Sequence, residues 1–251
     1  SWQGKQIWLQ FDGVYMNSEV WINGHHLGKR PYGYISFQYE LSKYLKQGDN
    51  VISLRVDNEL QPSARRYHPG GIYAPVKLAI LNPVHVKHNS LFIHTPSVGQ
   101  ETEVAVSFEV NDSAQNISEY ELRYALYDQD NKQILTHLTP LKNVSRVVNE
   151  KTAYALSFNL PGAKRWNPHN AYLYRLALTI LDNGKVIDSQ TAKFGVRDIE
   201  WKTDTGFWIN GENVKIKGVA EHYEGGPVGG AWTKPLLRWK LNLLKEMGVN
   251  A

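Results

Sequence analysis

Two stretches of the chain place polar and aromatic residues at spacings that could do chemistry. The first, Arg65-Arg66-Tyr67-His68-Pro69-Gly70-Gly71-Ile72-Tyr73, gathers donors and aromatic planes on a loop stiffened by Pro and Gly. An Arg guanidinium can fork onto a carboxylate or sulfate, and a Tyr ring can stack on the apolar face of a sugar. The plainer reading of the same residues has Arg65 tying down its own domain interface, with Tyr67 and Tyr73 in a core or seam. The second stretch is Glu221-His222-Tyr223-Glu224. It stands where a first barrel strand would end, the face that carries the chemistry in α/β barrels, and that place favours a functional His222. A catalytic acid at Glu221 or Glu224 is less favoured, because paired-carboxylate chemistry needs two carboxylates at a fixed separation, supplied by different strands.

Other chemistries find little support. The nine histidines show no helical zinc spacing, and the absence of Cys removes thiolate sites, cysteine nucleophiles and disulfide scaffolds. The Gly-rich stretch 225–230 lacks the Lys-Ser/Thr of a phosphate-binding loop and the spacing of a dinucleotide fingerprint, so its glycines read as turn formers. Three Asn-x-Ser triplets, at Asn111, Asn116 and Asn143, are of a kind that arises by chance. A formal charge of +4 without a basic run argues against a nucleic-acid partner. No stretch approaches the roughly 20 apolar residues that cross a bilayer, so no membrane partner is expected.

The elements that must position these residues are mostly short strands. Aromatic content of 12%, with 20 Gly and 11 Pro, suits many strands separated by turns. Strands are predicted at 7–11, 18–22, 35–39 and 51–56, and the second runs into Asn23-Gly24, a strong hairpin signal. Residues 60–75 are predicted as a long ordered loop. A second series at 91–93, 103–110, 119–127, 153–160, 173–181 and 185–188 reads as an immunoglobulin-like sandwich. Beyond Gly195, Phe207-Trp208-Ile209 meets Asn210-Gly211 as another hairpin, and 214–219 is predicted as a strand. One helix follows, capped by Thr233, with Pro235 in its first turn and Gly248 at its stop. Leu236, Leu237, Leu241, Leu243, Leu244 and Met247 form its apolar face. Val249-Asn250-Ala251 then begins a new strand. A lone βα unit cannot bury both faces of its strand, so the chain reads as a fragment.

Taken in order, these motifs resemble glycoside hydrolase family 2, which includes β-galactosidases, β-glucuronidases and β-mannosidases. Phe11-Asp12-Gly13-Val14, Glu19-Val20-Trp21-Ile22-Asn23-Gly24, Gly28 and Leu41-Ser42-Lys43-Tyr44-Leu45 are similar to the family's sugar-binding jelly roll. The likeness continues through the 65–73 loop, Trp166-Asn167-Pro168 with Tyr172-Leu173-Tyr174, Phe194-Gly195-Val196-Arg197, Ile209-Asn210-Gly211 and Lys217-Gly218-Val219. It closes on Leu244-Lys245-Glu246-Met247-Gly248-Val249-Asn250-Ala251. The resemblance implies a mainly β chain in three parts: a partial jelly-roll sandwich over 1–83, an immunoglobulin-like β-sandwich over 84–198, and the first βα unit of a truncated (β/α)8 barrel over 199–251.

It also implies a retaining β-glycosidase that hydrolyses terminal β-linked sugars, β-galactosides first, with a glutamate acid/base and a glutamate nucleophile on barrel strands beyond Ala251. The fragment alone is then inactive. His222 matches the histidine that lines the family's sugar subsite, and Arg65 and Tyr67 are the other candidates for substrate contact. Departures stand at Ala220-Glu221, where the family has Asn-Arg, at Tyr223 for Glu, at Arg66 for Trp and at His68 for Pro. They set this subsite apart from that of an ordinary galactoside enzyme, and the extra Arg suits an anionic or algal sugar. The partner implied is a carbohydrate. The fragment needs no cofactor, while the full-length enzyme has room for a divalent or monovalent cation and for homo-oligomers, and a periplasmic or extracellular place is expected over a cytoplasmic one. The rival reading is a non-catalytic carbohydrate-binding or adhesion protein of two sandwiches, which accounts for the aromatic content but not for the amphipathic helix.

Overall fold

The computed structural model of the protein describes residues 2–59, 68, 70–112, 119–147, 152–222 and 225–251. Their contacts divide into two units, one of 1–81 with 217–251 and the other of 82–216.

In the first unit, β1 (Gln6–Phe11), β2 (Val14–Tyr15), β3 (Ser18–Ile22), β4 (His25–Arg30), β5 (Phe37–Glu40), β6 (Ile52–Arg55), β7 (Gly71–Ile72) and β8 (Val76–Leu81) form three small antiparallel sheets. Their orders are β5-β1-β8, β4-β3-β6 and β2-β7. Period-2 alternation makes β1 a half-buried strand: Ile7, Leu9 and Phe11 point inward, Gln6, Trp8 and Gln10 less so. Val20 and Ile22 of β3, Phe37 and Leu41 complete the core with Val14, and Phe11 stacks on Phe37 at 5.0 Å. The Asn23-Gly24 hairpin forms as the sequence predicts. Both residues take positive φ, 50° and 85°, the left-handed geometry that matches a hairpin turn to strand twist. Asn23 also anchors its surroundings, donating to Tyr44 O at 2.9 Å and accepting from Val51 N–H at 3.0 Å. Of the loop predicted over 60–75, residues 60–67 and 69 lie outside the described residues, while Gly71–Ile72 pairs with Val14–Tyr15 as a two-residue ladder.

The second unit begins with β9 (Val84–Val86), β10 (Phe92–Ser97), β11 (Glu101–Asp112), β12 (Tyr120–Tyr127), β13 (Gln133–Pro140), β14 (Ser145–Arg146), β15 (Ala153–Pro161), β16 (Tyr174–Asp182) and β17 (Lys185–Phe194). One sheet runs β10-β11-β15-β14, with β9 also on β11, and the other runs β13-β12-β16-β17. Five strands facing four in this order is the arrangement of an immunoglobulin-like sandwich. Inward residues of both sheets meet in one core, among them Val104, Val106 and Phe108 of β11 against Leu122, Leu126, Leu176 and Leu178. A third small sheet, β18 (Ile199–Lys202), β19 (Gly206–Ile209) and β20 (Glu212–Asn213), carries the second predicted Asn-Gly hairpin.

The helix forms as α1 (Lys234–Glu246), with the Thr233 hydroxyl accepting from Leu236 N–H at its start. Gly248 N–H donates to Lys245 O and Val249 N–H to Leu244 O at its end. No residue of α1 is buried: Leu237, Leu241, Leu243 and Met247 of the predicted apolar face are exposed. The strand predicted over 214–219 does not form as such. Its outer part makes only a short parallel contact, Val219 N–H donating to Ala251 O at 3.2 Å and Asn250 N–H to Lys217 O at 2.9 Å. A parallel ladder is stable when neighbours pair on both sides and helices cover both faces, and one such contact does not extend into a strand. No helix among the described residues is long and apolar enough to cross a membrane.

Candidate functional site

His222 lies on the segment that leads from the Lys217–Val219 contact towards α1, and it lines a cleft of about 270 Å³. Trp232, just before the Thr233 cap, forms another wall, and Leu237, Leu241 and Leu244 present the apolar side of α1. This spacing follows from the helix: positions 237, 241 and 244 recur at four and three residues and so share one face. Two charges are set into the apolar lining. Lys240, one helical turn from Leu237 and Leu244, ion-pairs with the Glu221 carboxylate and places its ammonium 4.8 Å from the centroid of the Trp232 ring. The ring's negative face and the carboxylate thereby hold the same cation.

This arrangement bears directly on the predicted chemistry. Glu221 spends a carboxylate oxygen on Lys240 and sits with no second described carboxylate lining the cleft. A retaining glycosidase needs two carboxyl groups about 5–5.5 Å apart. What the described lining offers is an imidazole, an indole ring and an ion pair set among leucines, groups that can hold a polar ligand. Of the other predicted site residues, Arg65 and Tyr67 lie outside the described residues, as do Tyr223 and Glu224. Among the described residues no group of three His, Asp or Glu side chains is spaced to hold a metal ion.

The described remainder of the 65–73 loop is anchored in the first sandwich. Tyr73 lies flat on Gly13, where a Cβ would come within 2.4 Å of its ring, and its hydroxyl donates to Gly33 O at 2.7 Å. Tyr73 therefore fits the plainer reading of a seam residue. His68, which stands where the resemblance leads one to expect Pro, stacks on Tyr15 with centroids 4.6 Å apart and planes within 7°. Tyr32 and Tyr34 gather on the same cluster. They escaped the sequence reading because Tyr32-Gly33-Tyr34 carries no motif; its only signal was two aromatics flanking a glycine between two strands. A second, wider opening of about 610 Å³ in the other unit is lined by Phe92, His94, Lys193, Arg197 and Asp198 among others.

Known proteins share this architecture. Residues 84–197 match the family described as glycosyl hydrolases family 2, and residues 1–93 match the glycosyl hydrolase 2 galactose-binding domain-like family. A protein of Formosa agariphila carrying the name "Putative beta-glucuronidase" is 53% identical over 98% of this chain and 23% of its own length. The β-galactosidase BoGH2A of Bacteroides ovatus is 35% identical over 98% of this chain and 29% of its own length. A glycosyl hydrolase family 2 member from Bacteroides cellulosilyticus superposes with a TM-score of 0.89 at 30% identity, over 99% of this chain and 34% of that structure's chain. The chain thus spans less than a third of these two curated relatives, 23% and 29% of their lengths.

Proposed function

The chain belongs to glycosyl hydrolase family 2, and from that premise we propose that it is the accessory portion of a retaining β-glycosidase acting on terminal β-linked sugars. The observation that carries the reading is the match of two successive family domains, in order, to the two sandwiches, followed by a cleft that His222 helps to line. In this reading the domains run over 1–83, 84–198 and 199–251, and the last opens a (β/α)8 barrel. The parallel contact of Lys217 and Val219 with Asn250 and Ala251, bridged by α1, supports that opening. His222, Arg65 and Tyr67 are the substrate-contact residues, and the two catalytic glutamates belong to barrel strands outside this chain.

The sugar is a β-galactoside or a β-glucuronide. The galactoside reading rests on the family resemblance and on BoGH2A; the glucuronide reading is favoured by the relative at 53% identity and by the paired Arg65-Arg66. An arginine fork binds a carboxylate bidentately, and a galactoside has none to offer. The test is hydrolysis of nitrophenyl β-galactoside and nitrophenyl β-glucuronide by the intact gene product, with the first-formed anomer followed by NMR. Release of β-anomer from either substrate is expected. Inversion, or turnover of neither substrate, overturns the proposal.

A further inference from the structure

We propose that the opening of about 610 Å³ along the β10 and β17 edges of the second sandwich is an anion site, taking the carboxylate or sulfate group of a sugar-sized ring. It lies within the unit of residues 82–216 and does not depend on the chemistry assigned to the His222 cleft. Two edge strands frame it: β10 ends one sheet and β17 ends the other. Side chains two apart on a strand share a face, so Phe92 and His94 stand on the same side of β10, their rings stacked with centroids 5.4 Å apart, while Ile93 between them packs against the core. Phe92 is 60% exposed. Lys193 comes from β17, and Arg197 follows just past the buried Phe194 and Val196.

The segment that carries Arg197 is pinned from behind. Gly195 lies so close to Trp166 that a Cβ there would come within 2.8 Å of it, and Trp166 N–H donates to Val196 O at 2.8 Å. Asn210 closes the other side: its backbone N–H donates to Asp198 O at 2.9 Å, its side-chain oxygen accepts from Asp198 N–H at 3.0 Å, and its Nδ2 donates to Trp166 O at 2.9 Å. Held by this clamp, the Arg197 guanidinium carbon stands 5.4 Å from the centroid of the Trp166 ring. A guanidinium over an indole keeps its N–H donors in its own plane, where they can fork onto an oxyanion. A cation positioned before the ligand arrives costs little to order.

Charge sets the sign of the ligand. Lys193 and Arg197 line the opening against one described carboxylate, Asp198, with the His94 imidazole beside them. Lys193 also stands opposite Arg175 in the β16–β17 register, and like charges placed so cost stability. Among the described residues none of Lys193, Arg197 and Arg175 is ion-paired to a carboxylate. A bound anion relieves that excess, and a neutral sugar does not. The exposed Phe92 ring adds an apolar face next to the cations, so an anion carried on a ring suits the opening better than a bare ion.

The experiment is NMR titration of the chain with methyl β-D-glucuronide, galactose 6-sulfate and methyl β-D-galactopyranoside, reading the backbone amides of residues 92–95 and 193–198. The two anions should shift these amides and the neutral sugar should not, and added NaCl should weaken the binding. Arg197→Gln should weaken it about tenfold and Lys193→Gln roughly threefold, because a forked, charge-assisted contact outweighs one exposed ammonium. Asp198→Asn removes the repelling carboxylate and should tighten binding, an effect that a merely structural role for these residues would not produce. Backbone spectra of each variant establish that the fold is kept; if Arg197→Gln unfolds the chain, Lys193→Gln and Asp198→Asn carry the test. Failure of both anions to shift these amides, equal shifts with the neutral sugar, or affinities indifferent to the folded Lys193 and Arg197 variants overturns the site. So does weaker binding by Asp198→Asn. No arm reads hydrolysis, so the site can fail while the glycosidase reading stands, and the reverse.

Discussion

The two sandwiches solve the same packing problem to different extents. In the second unit the β11 and β16 strands lie inside their sheets, and among the described residues nineteen hydrophobic side chains are buried between the sheets. The first unit buries eight, and its sheets end in strands that are covered on one side only. Register makes the contrast sharp. Leu9 of β1 stands opposite Leu78 of β8 on the same face of the sheet, yet Leu9 is 2% exposed and Leu78 49%. Ile52 of β6, opposite the buried Ile22, is exposed in the same way. Residues paired across an antiparallel ladder share a face, so Leu78 and Ile52 lie on the same apolar faces as Leu9 and Ile22 and yet are far less covered. Hydrophobic pattern specifies which face is apolar; burial depends on what lies over it.

The comparison can be broken most directly in the cores. Phe108→Ala removes a ring buried between the sheets and stacked on Tyr154, and should destabilise the second unit by about 3–5 kcal/mol in denaturant unfolding. Hydrogen exchange is expected to report the loss in residues 82–216 and not in the first sandwich. The β1–β8 pair offers the next test. Leu9→Ala should cost about 2–5 kcal/mol, whereas Leu78→Ala, half in water already, should stay below about 1 kcal/mol. Equal losses would mean that the two strands are equally covered in solution.

Gly13→Ala sharpens the picture further. A methyl group there must displace the Tyr73 ring, whose hydroxyl is committed to Gly33 O, and about 1–3 kcal/mol of the first unit's stability should go with it. Gly99→Ala, with only one ordinary contact at 3.8 Å, serves as the control.

The smallest effect is electrostatic and distinguishes two carboxylates of the second unit. Burial raises the Asp188 pKa, only partly offset by the Val86 N–H that it accepts at 2.8 Å. The hydrogen bond and charge of Lys87 lower that of Glu109. The signs are opposite. Glu109 adds stability above its unfolded pKa and loses it as pH falls through the folded value. Asp188 holds its proton more tightly when folded, so stability declines as pH rises from its unfolded pKa towards its raised folded one. Melting of Asp188→Asn against the parent chain across that range should show the variant gaining relative stability as pH increases.

Much of this was legible in the residues. The Asn23-Gly24 and Asn210-Gly211 turns that close hairpins, the alternation of β1 and β3, and the capped helix α1 all declared themselves through local chemistry. Strand β13 did not, because Gln133–Pro140 is an edge strand with mostly exposed side chains and so lacks a clean alternation. The run 214–219 misled in the other direction, since its β-branched residues are strand-like but parallel pairing depends on neighbours far along a chain. His222 stood out in the sequence as a polar residue between the run 214–219 and the helix. Its ion-pair neighbours Glu221 and Lys240, nineteen positions apart, and the tyrosine cluster around His68 come together only through the fold.

The most direct test of the account is a turnover assay of the 251-residue chain itself on nitrophenyl β-galactoside and nitrophenyl β-glucuronide. The account predicts no hydrolysis of either, because the described residues of the His222 cleft supply one carboxylate, and that one is paired with Lys240. Turnover by the chain alone, lost on Glu221→Gln, would contradict it.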